Sequence, residues 1–117
     1  MATLTVQDAA EGGGITFVTA TGGGDVAPND GKTLLVFWND DASLAQVTVT
    51  AQDTTATAAG FGAVTKADAV KSIAANTADV MGPFPTTAFN NASGQIAVTY
   101  TSVTDLDVAA VRVSGAT

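Results

Sequence analysis

Residues 45–52 set Ala45, Val47, Val49 and Ala51 in strict alternation with Gln46, Thr48, Thr50 and Gln52. A period of two belongs to a β-strand with one buried and one wet face, and a helix cannot satisfy it. The same grammar recurs along the chain as short β-branched runs separated by turn clusters. Leu4 and Val6 alternate with Thr3 and Thr5, and residues 15–20 read as a second strand. In Thr33-Leu34-Leu35-Val36-Phe37-Trp38, Leu34, Val36 and Trp38 share one face while Leu35 and Phe37 share the other. Apolar side chains on both faces imply a central strand, or one covered on its outer side by a partner. Residues 78–81 form a further strand, ended by Gly82-Pro83-Phe84-Pro85. Ile96, Val98 and Tyr100 share a face, and residues 106–113 close the series.

Between these runs lie turn clusters. Residues 22–31 read as one long loop, residues 53–62 as another, and residues 89–94 as a turn. Residues 39–43 are short enough to close a hairpin. The stretch 66–75 is open: Val70 and Ile73 fit helical spacing, with Asp68 as a cap, yet an isolated helix of this length has little intrinsic stability. About eight short antiparallel strands with no dependable helix predict an all-β, single-domain β-sandwich or jelly-roll-like barrel. Residues 1–14 form an N-terminal strand or arm with a glycine-rich hinge at Gly12-Gly13-Gly14, and residues 15–117 form the sandwich.

Composition narrows the chemistry. The 117 residues include no Cys and no His. That removes disulfides, thiolate nucleophiles, zinc-thiolate sites and the usual general base near neutral pH. Ser–His–Asp and Cys–His catalysis cannot be assembled. The chain is therefore expected not to be an enzyme and to carry no cofactor. With 4 Lys plus Arg against 11 Asp plus Glu, the net charge is −7. Lys32, Lys66, Lys71 and Arg112 are scattered, which disfavours a nucleic-acid partner. No apolar run approaches the roughly 20 residues that span a bilayer, so no membrane partner is expected. The first eight residues lack the features of a signal peptide, which predicts synthesis in the cytoplasm.

Four local patterns have a bland reading that outweighs the chemical one. Gly31-Lys32-Thr33 resembles the end of a phosphate-binding loop, but Val26 stands where that loop needs glycine and a strand follows instead of a helix. The Asp and Asn residues at 25–30 and 39–41 fit turn chemistry better than calcium, because Glu11 is the only glutamate and no closing carboxylate is present. Asp105 and Asp107 flank Leu106 and would share one strand face as a solvated acidic pair. Asn91-Ala92-Ser93 matches the glycosylation pattern, which has no meaning without secretion. Trp38 is either core or an interface anchor, with a carbohydrate platform as a third reading.

Several segments together resemble small tailed-bacteriophage virion proteins of the head decoration, or capsid cement, type. They are Leu4-Thr5-Val6-Gln7-Asp8, Asn29-Asp30-Gly31-Lys32-Thr33-Leu34-Leu35-Val36, Asn39, Val47-Thr48-Val49-Thr50, Met81-Gly82-Pro83-Phe84-Pro85, Phe89-Asn90, Val98-Thr99-Tyr100 and Val108-Ala109-Ala110-Val111-Arg112-Val113. The resemblance spans nearly the whole chain in order, and places a strand over residues 69–74. It implies a non-enzymatic homotrimer on the capsid surface of the virion, bound to the major capsid protein at three-fold positions.

Such a protein stabilises the assembled lattice by binding it in preference to other states. An N-terminal arm, residues 2–8, would pair with a capsid strand. Leu4, Val6, Trp38 and Phe61 are the expected interface residues. A head–tail or tail component, and a carbohydrate-binding module using Trp38 and Tyr100, are the alternatives.

Overall fold

The computed structural model describes residues 2–8, 15–52, 55–58, 62–65 and 67–112. Its elements run β1 (Ala2–Thr3), β2 (Val6–Asp8), β3 (Val18–Thr19), β4 (Asp25–Pro28), β5 (Thr33–Asn39) and β6 (Ala45–Val49). They continue as β7 (Thr55–Ala58), β8 (Gly62–Thr65), β9 (Ala69–Ile73), β10 (Thr77–Met81), α1 (Thr86–Phe89), β11 (Gln95–Tyr100) and β12 (Leu106–Arg112). One sheet has the order β1-β4-β11-β6-β9, and the other the order β10-β5-β12-β2, with β3 also on β12. The chain is an all-β sandwich.

The core lies between the sheets and is built by the expected alternation. Val47 and Val49 of β6, Ile96 and Val98 of β11, Leu35 and Phe37 of β5, and Val108 and Ala110 of β12 all turn inward and are buried. Phe37 meets Tyr100 edge-on from the opposite sheet, with ring centroids 6.4 Å apart. Such a contact aligns the positive ring edge with the negative ring face.

The strand count exceeds the expected eight because the chain changes sheet often, cutting the ladders short. The N-terminus shows this best. β1 pairs in parallel with β4, and β2 pairs in parallel with β12 in the other sheet. The crossing falls at Leu4, whose side chain is 4% exposed within the core and whose N–H donates to the Val26 carbonyl at 2.7 Å. Residues 2–8 are thus strands of the sandwich, and both pairings are parallel where antiparallel ones were expected. The glycines expected to act as a hinge lie outside the described residues.

Several local expectations are corrected. The loop expected over residues 22–31 contains β4, whose Val26 and Ala27 are buried beside β11. Gly24 makes that approach possible: its φ is +102°, and a Cβ there would sit 2.7 Å from the Val98 carbonyl oxygen. The strand expected over residues 15–20 shrinks to Val18–Thr19, because Thr16 is held by a side chain instead of a ladder. Gln7 Oε1 accepts the Thr16 N–H at 2.8 Å and Gln7 Nε2 donates to the Thr16 carbonyl at 2.7 Å, so one amide side chain imitates a strand's peptide. The loop expected at residues 53–62 includes β7, which pairs with β8 as a hairpin. Its alternating Thr55 and Thr57 supply the β-branched residues.

Residues 39–43 do not close a hairpin, since β5 and β6 belong to different sheets. Fully buried Asn39 directs the chain around that corner: its Nδ2 donates to the carbonyls of Ser43 (2.9 Å), Ile73 (3.1 Å) and Ala74 (3.3 Å). Its Oδ1 accepts the Asp41 N–H at 3.1 Å. The open stretch at 66–75 contains a strand, β9. There the helical spacing of Val70 and Ile73 is overridden by pairing with β6, which buries Ile73 and leaves Val70 exposed. A one-turn helix, α1, ends at Phe89, where only a turn was expected, and buries Ala88 and Phe89.

Candidate interaction surface

The two faces of the β10-β5-β12 sheet differ sharply. Register places Val80, Val36 and Ala109 in one row across the outer face, and Ala78, Trp38 and Asp107 in the next. Leu34 and Val111 form a third row. Trp38 is 39% exposed and Val80 52%, while Leu34 and Val36 are half-buried and Ala109 and Val111 are buried. A continuous apolar strip therefore runs along the outward side of β5. Isolated exposed apolar residues are ordinary, but a contiguous group at the centre of a sheet face marks a contact surface.

The strip ends in opposite charges. Beyond Leu34, the chain forms an open hollow of about 270 Å³ lined by Gly31, Lys32, Leu34 and Pro83. Gly82 shapes that end: its φ is +113°, and a Cβ there would sit 2.9 Å from the Thr33 carbonyl oxygen. Lys32 stands at this end and Asp107 beside Trp38 at the other. Neither side chain makes an ion pair among the described residues. The other described cations are engaged: Lys71 with Asp79 at 3.3 Å, and Arg112 with Asp8 at 3.1 Å and Asp30 at 3.2 Å. The Lys32 amide, with help from Arg112, holds the Asp30 carboxyl below its usual range. The two carboxylates hold Arg112 above its own.

Lys71 and Asp79 serve the edges. Register turns both inward, Lys71 opposite Val47 on β9 and Asp79 opposite Phe37 on β10. They close the gap between the two edge strands with charge, a device that discourages edge-to-edge pairing with other chains.

The expected interface residues do not converge. Leu4 belongs to the core, so its side chain is not offered to a partner. Val6 is half-buried, packs on the core and lines a small hollow beside Arg112. Trp38 is on the outer strip, and Phe61 lies outside the described residues. Asp105 and Asp107 are not a strand pair, because Asp105 takes a left-handed turn conformation (φ 51°) before β12 begins. Tyr100 points between the sheets and Trp38 away from them, so the two cannot form one glycan platform.

Sequence reasoning missed Val80, whose alternation with Met81 was visible but whose outward side depends on pairing with Val36. It also missed a second exposed apolar group on the segment beside β12: Ile15, Phe17 and Val18. Among the described residues no three potential metal-ligating side chains gather, and no helix is long and apolar enough to cross a membrane. Compared with protein-family models, with curated proteins and with solved structures, the chain matches none.

Proposed function

We propose that this chain is a structural virion protein of the decoration type, binding the outer surface of the assembled major capsid lattice and stabilising it. The observation that carries the reading is the exposed apolar strip along β5, where Trp38 and Val80 are exposed beside half-buried Leu34 and Val36. Beyond β12, the segment that pairs with it through β3 adds exposed Ile15, Phe17 and Val18. A cement protein needs an exposed apolar face to set against the shell, and this strip supplies one. The segments that resemble head decoration proteins supply the identity of the neighbour.

Stabilisation follows from linkage. A protein that binds the expanded lattice and not its loose subunits shifts the balance toward the lattice by its differential affinity. The chain's charge of −7 favours the outside of the shell over contact with packaged nucleic acid. Copy number and position in purified particles test the reading. Hundreds of copies spread over the shell support decoration. A handful at one vertex would instead make it a tail or connector component, and absence from particles would remove the virion reading altogether.

A further inference from the structure

We infer that Gln7 is a positioning residue for shell contact: its side chain holds residues 15–18 out along the sheet edge as an apolar strap that docks on the capsid surface. The inference rests on the decoration reading proposed above. Beyond its pairing with β5, β12 has one edge left, and two segments share it. β3 pairs with Asp107 and Val108, while β2 takes Ala110, Val111 and Arg112. The ladder that carries Val18 therefore stops at Val108, because β2 occupies the edge beyond. Gln7 of β2 supplies the substitute for the residues that follow. Its Oε1 accepts the Thr16 N–H at 2.8 Å, and its Nε2 donates to the Thr16 carbonyl at 2.7 Å. A carboxamide offers a peptide unit's donor and acceptor together, which is what Thr16 needs where no strand is available.

What this latch holds points to a partner. Residues 15–19 are all exposed, and three of them are large and apolar: Ile15 (41%), Phe17 (40%) and Val18 (48%). Single exposed apolar side chains are ordinary, but three within four residues of one held segment form a contact surface. One end is anchored, where buried Ala20 donates its N–H to the Leu106 carbonyl at 2.9 Å. Before the other end the sequence reads Gly12-Gly13-Gly14, and glycine brings no preference that would keep Ile15 and Phe17 extended. Side chains this exposed contribute little to holding the segment, so its position depends on the Gln7 amide. A strap ordered in advance spares the complex the entropy of ordering it on contact. Register joins the segment to the Trp38 strip through the row Thr19, Asp107 and Trp38. Two strand spacings, about 10 Å, separate them, so a shell surface lying over Trp38 reaches the strap as well.

The test uses the purified chain, alone and with expanded shells that lack it. Gln7→Ala removes both bonds to Thr16, and Gln7→Glu keeps the acceptor while losing the donor. In the chain alone, the Thr16 amide should exchange its hydrogen about tenfold faster in Gln7→Ala than in wild type. On shells, Gln7→Ala should bind about tenfold more weakly than wild type, with Gln7→Glu between them. Ile15→Ser with Phe17→Ser strips the strap at exposed positions and should weaken binding at least as much. In that stripped chain, adding Gln7→Ala should change nothing further, since Gln7 acts only through those side chains. Equal binding by wild type and Gln7→Ala overturns the inference and leaves the decoration reading in place. So does a Gln7→Ala effect undiminished in the stripped chain. Thermal melts accompany each variant, and a Gln7→Ala chain unfolded at the binding temperature would assign Gln7 to the fold and overturn the inference. A wild-type chain that binds no shell removes the decoration reading and the inference together.

Discussion

The Tyr100 hydroxyl donates to Asp25 Oδ2 at 2.7 Å, joining a ring in the core to a fully buried carboxylate at the sheet's N-terminal side. The same carboxylate accepts the Ala2 N–H at 3.2 Å and the Thr21 N–H at 3.1 Å. Three donors thus replace the water that this carboxylate loses on folding. Asp25 gathers the chain's first strand, the turn before β4 and the end of β11 onto one side chain.

Asp25→Ala should cost about 3 kcal/mol, since it leaves a phenol and two N–H groups without their acceptor. Tyr100→Phe should cost less, about 1 kcal/mol, because Asp25 keeps two donors. Denaturant unfolding of the two variants checks the order. Equal losses would mean that Asp25 acts through Tyr100 alone.

Burial, and then the Asp25 carboxylate, push the Tyr100 pKa well above its ordinary value of 10.0. The folded state therefore favours the protonated phenol. Its contribution to stability is complete below the unfolded tyrosine's pKa and declines as the pH rises above it toward the folded value. Tyr100 is the only tyrosine, so ultraviolet absorbance reports this group without overlap. The phenolate signal should appear only together with unfolding, and ionisation of a still-folded chain at ordinary tyrosine pH would refute the assignment.

Asn39 serves as the corner brace between β5 and β6. Asn39→Ala should lower stability by about 2–3 kcal/mol by stripping the buried Ile73 carbonyl and the part-buried Ser43 carbonyl of their donor. Asn39→Asp should be worse at neutral pH, because a carboxylate would then face acceptor oxygens. Thermal melts at pH 7 distinguish the two, and an aspartate variant as stable as wild type would contradict the role.

Leu4 predicts how the N-terminus behaves when cut. Leu4→Ala should cost about 3 kcal/mol as a cavity in a packed core. Removal of residues 2–8 takes away β1, β2, Leu4 and the Asp8 partner of Arg112 together. The truncated chain should show a sharply lowered melting temperature. A truncated domain as stable as the full chain would restore the view of these residues as a free arm.

Much of this architecture was legible in the alternation of single strands. Val47, Val49, Ile96, Val98, Val108 and Ala110 all face the core as their spacing requires. Burial on one face is a local property of the pattern. What was not legible depends on pairing between distant segments. Val26 and Ala27 sit among turn residues and become a strand only because β11 lies beside them and Gly24 allows the approach. The sheet change at Leu4 leaves no mark on a period of two. The interaction strip was half legible: the apolar outer side of β5 pointed to a partner or a covering layer. The contributions of Val80 and Asp107 come from register with neighbouring strands.

Binding of the purified chain to heads that lack it, comparing expanded shells with unexpanded shells and free capsid subunits, tests the decoration role. A decoration protein should bind saturably to the expanded lattice alone and raise the temperature at which packaged DNA is lost. Equal binding to all three forms, or to none, would contradict it.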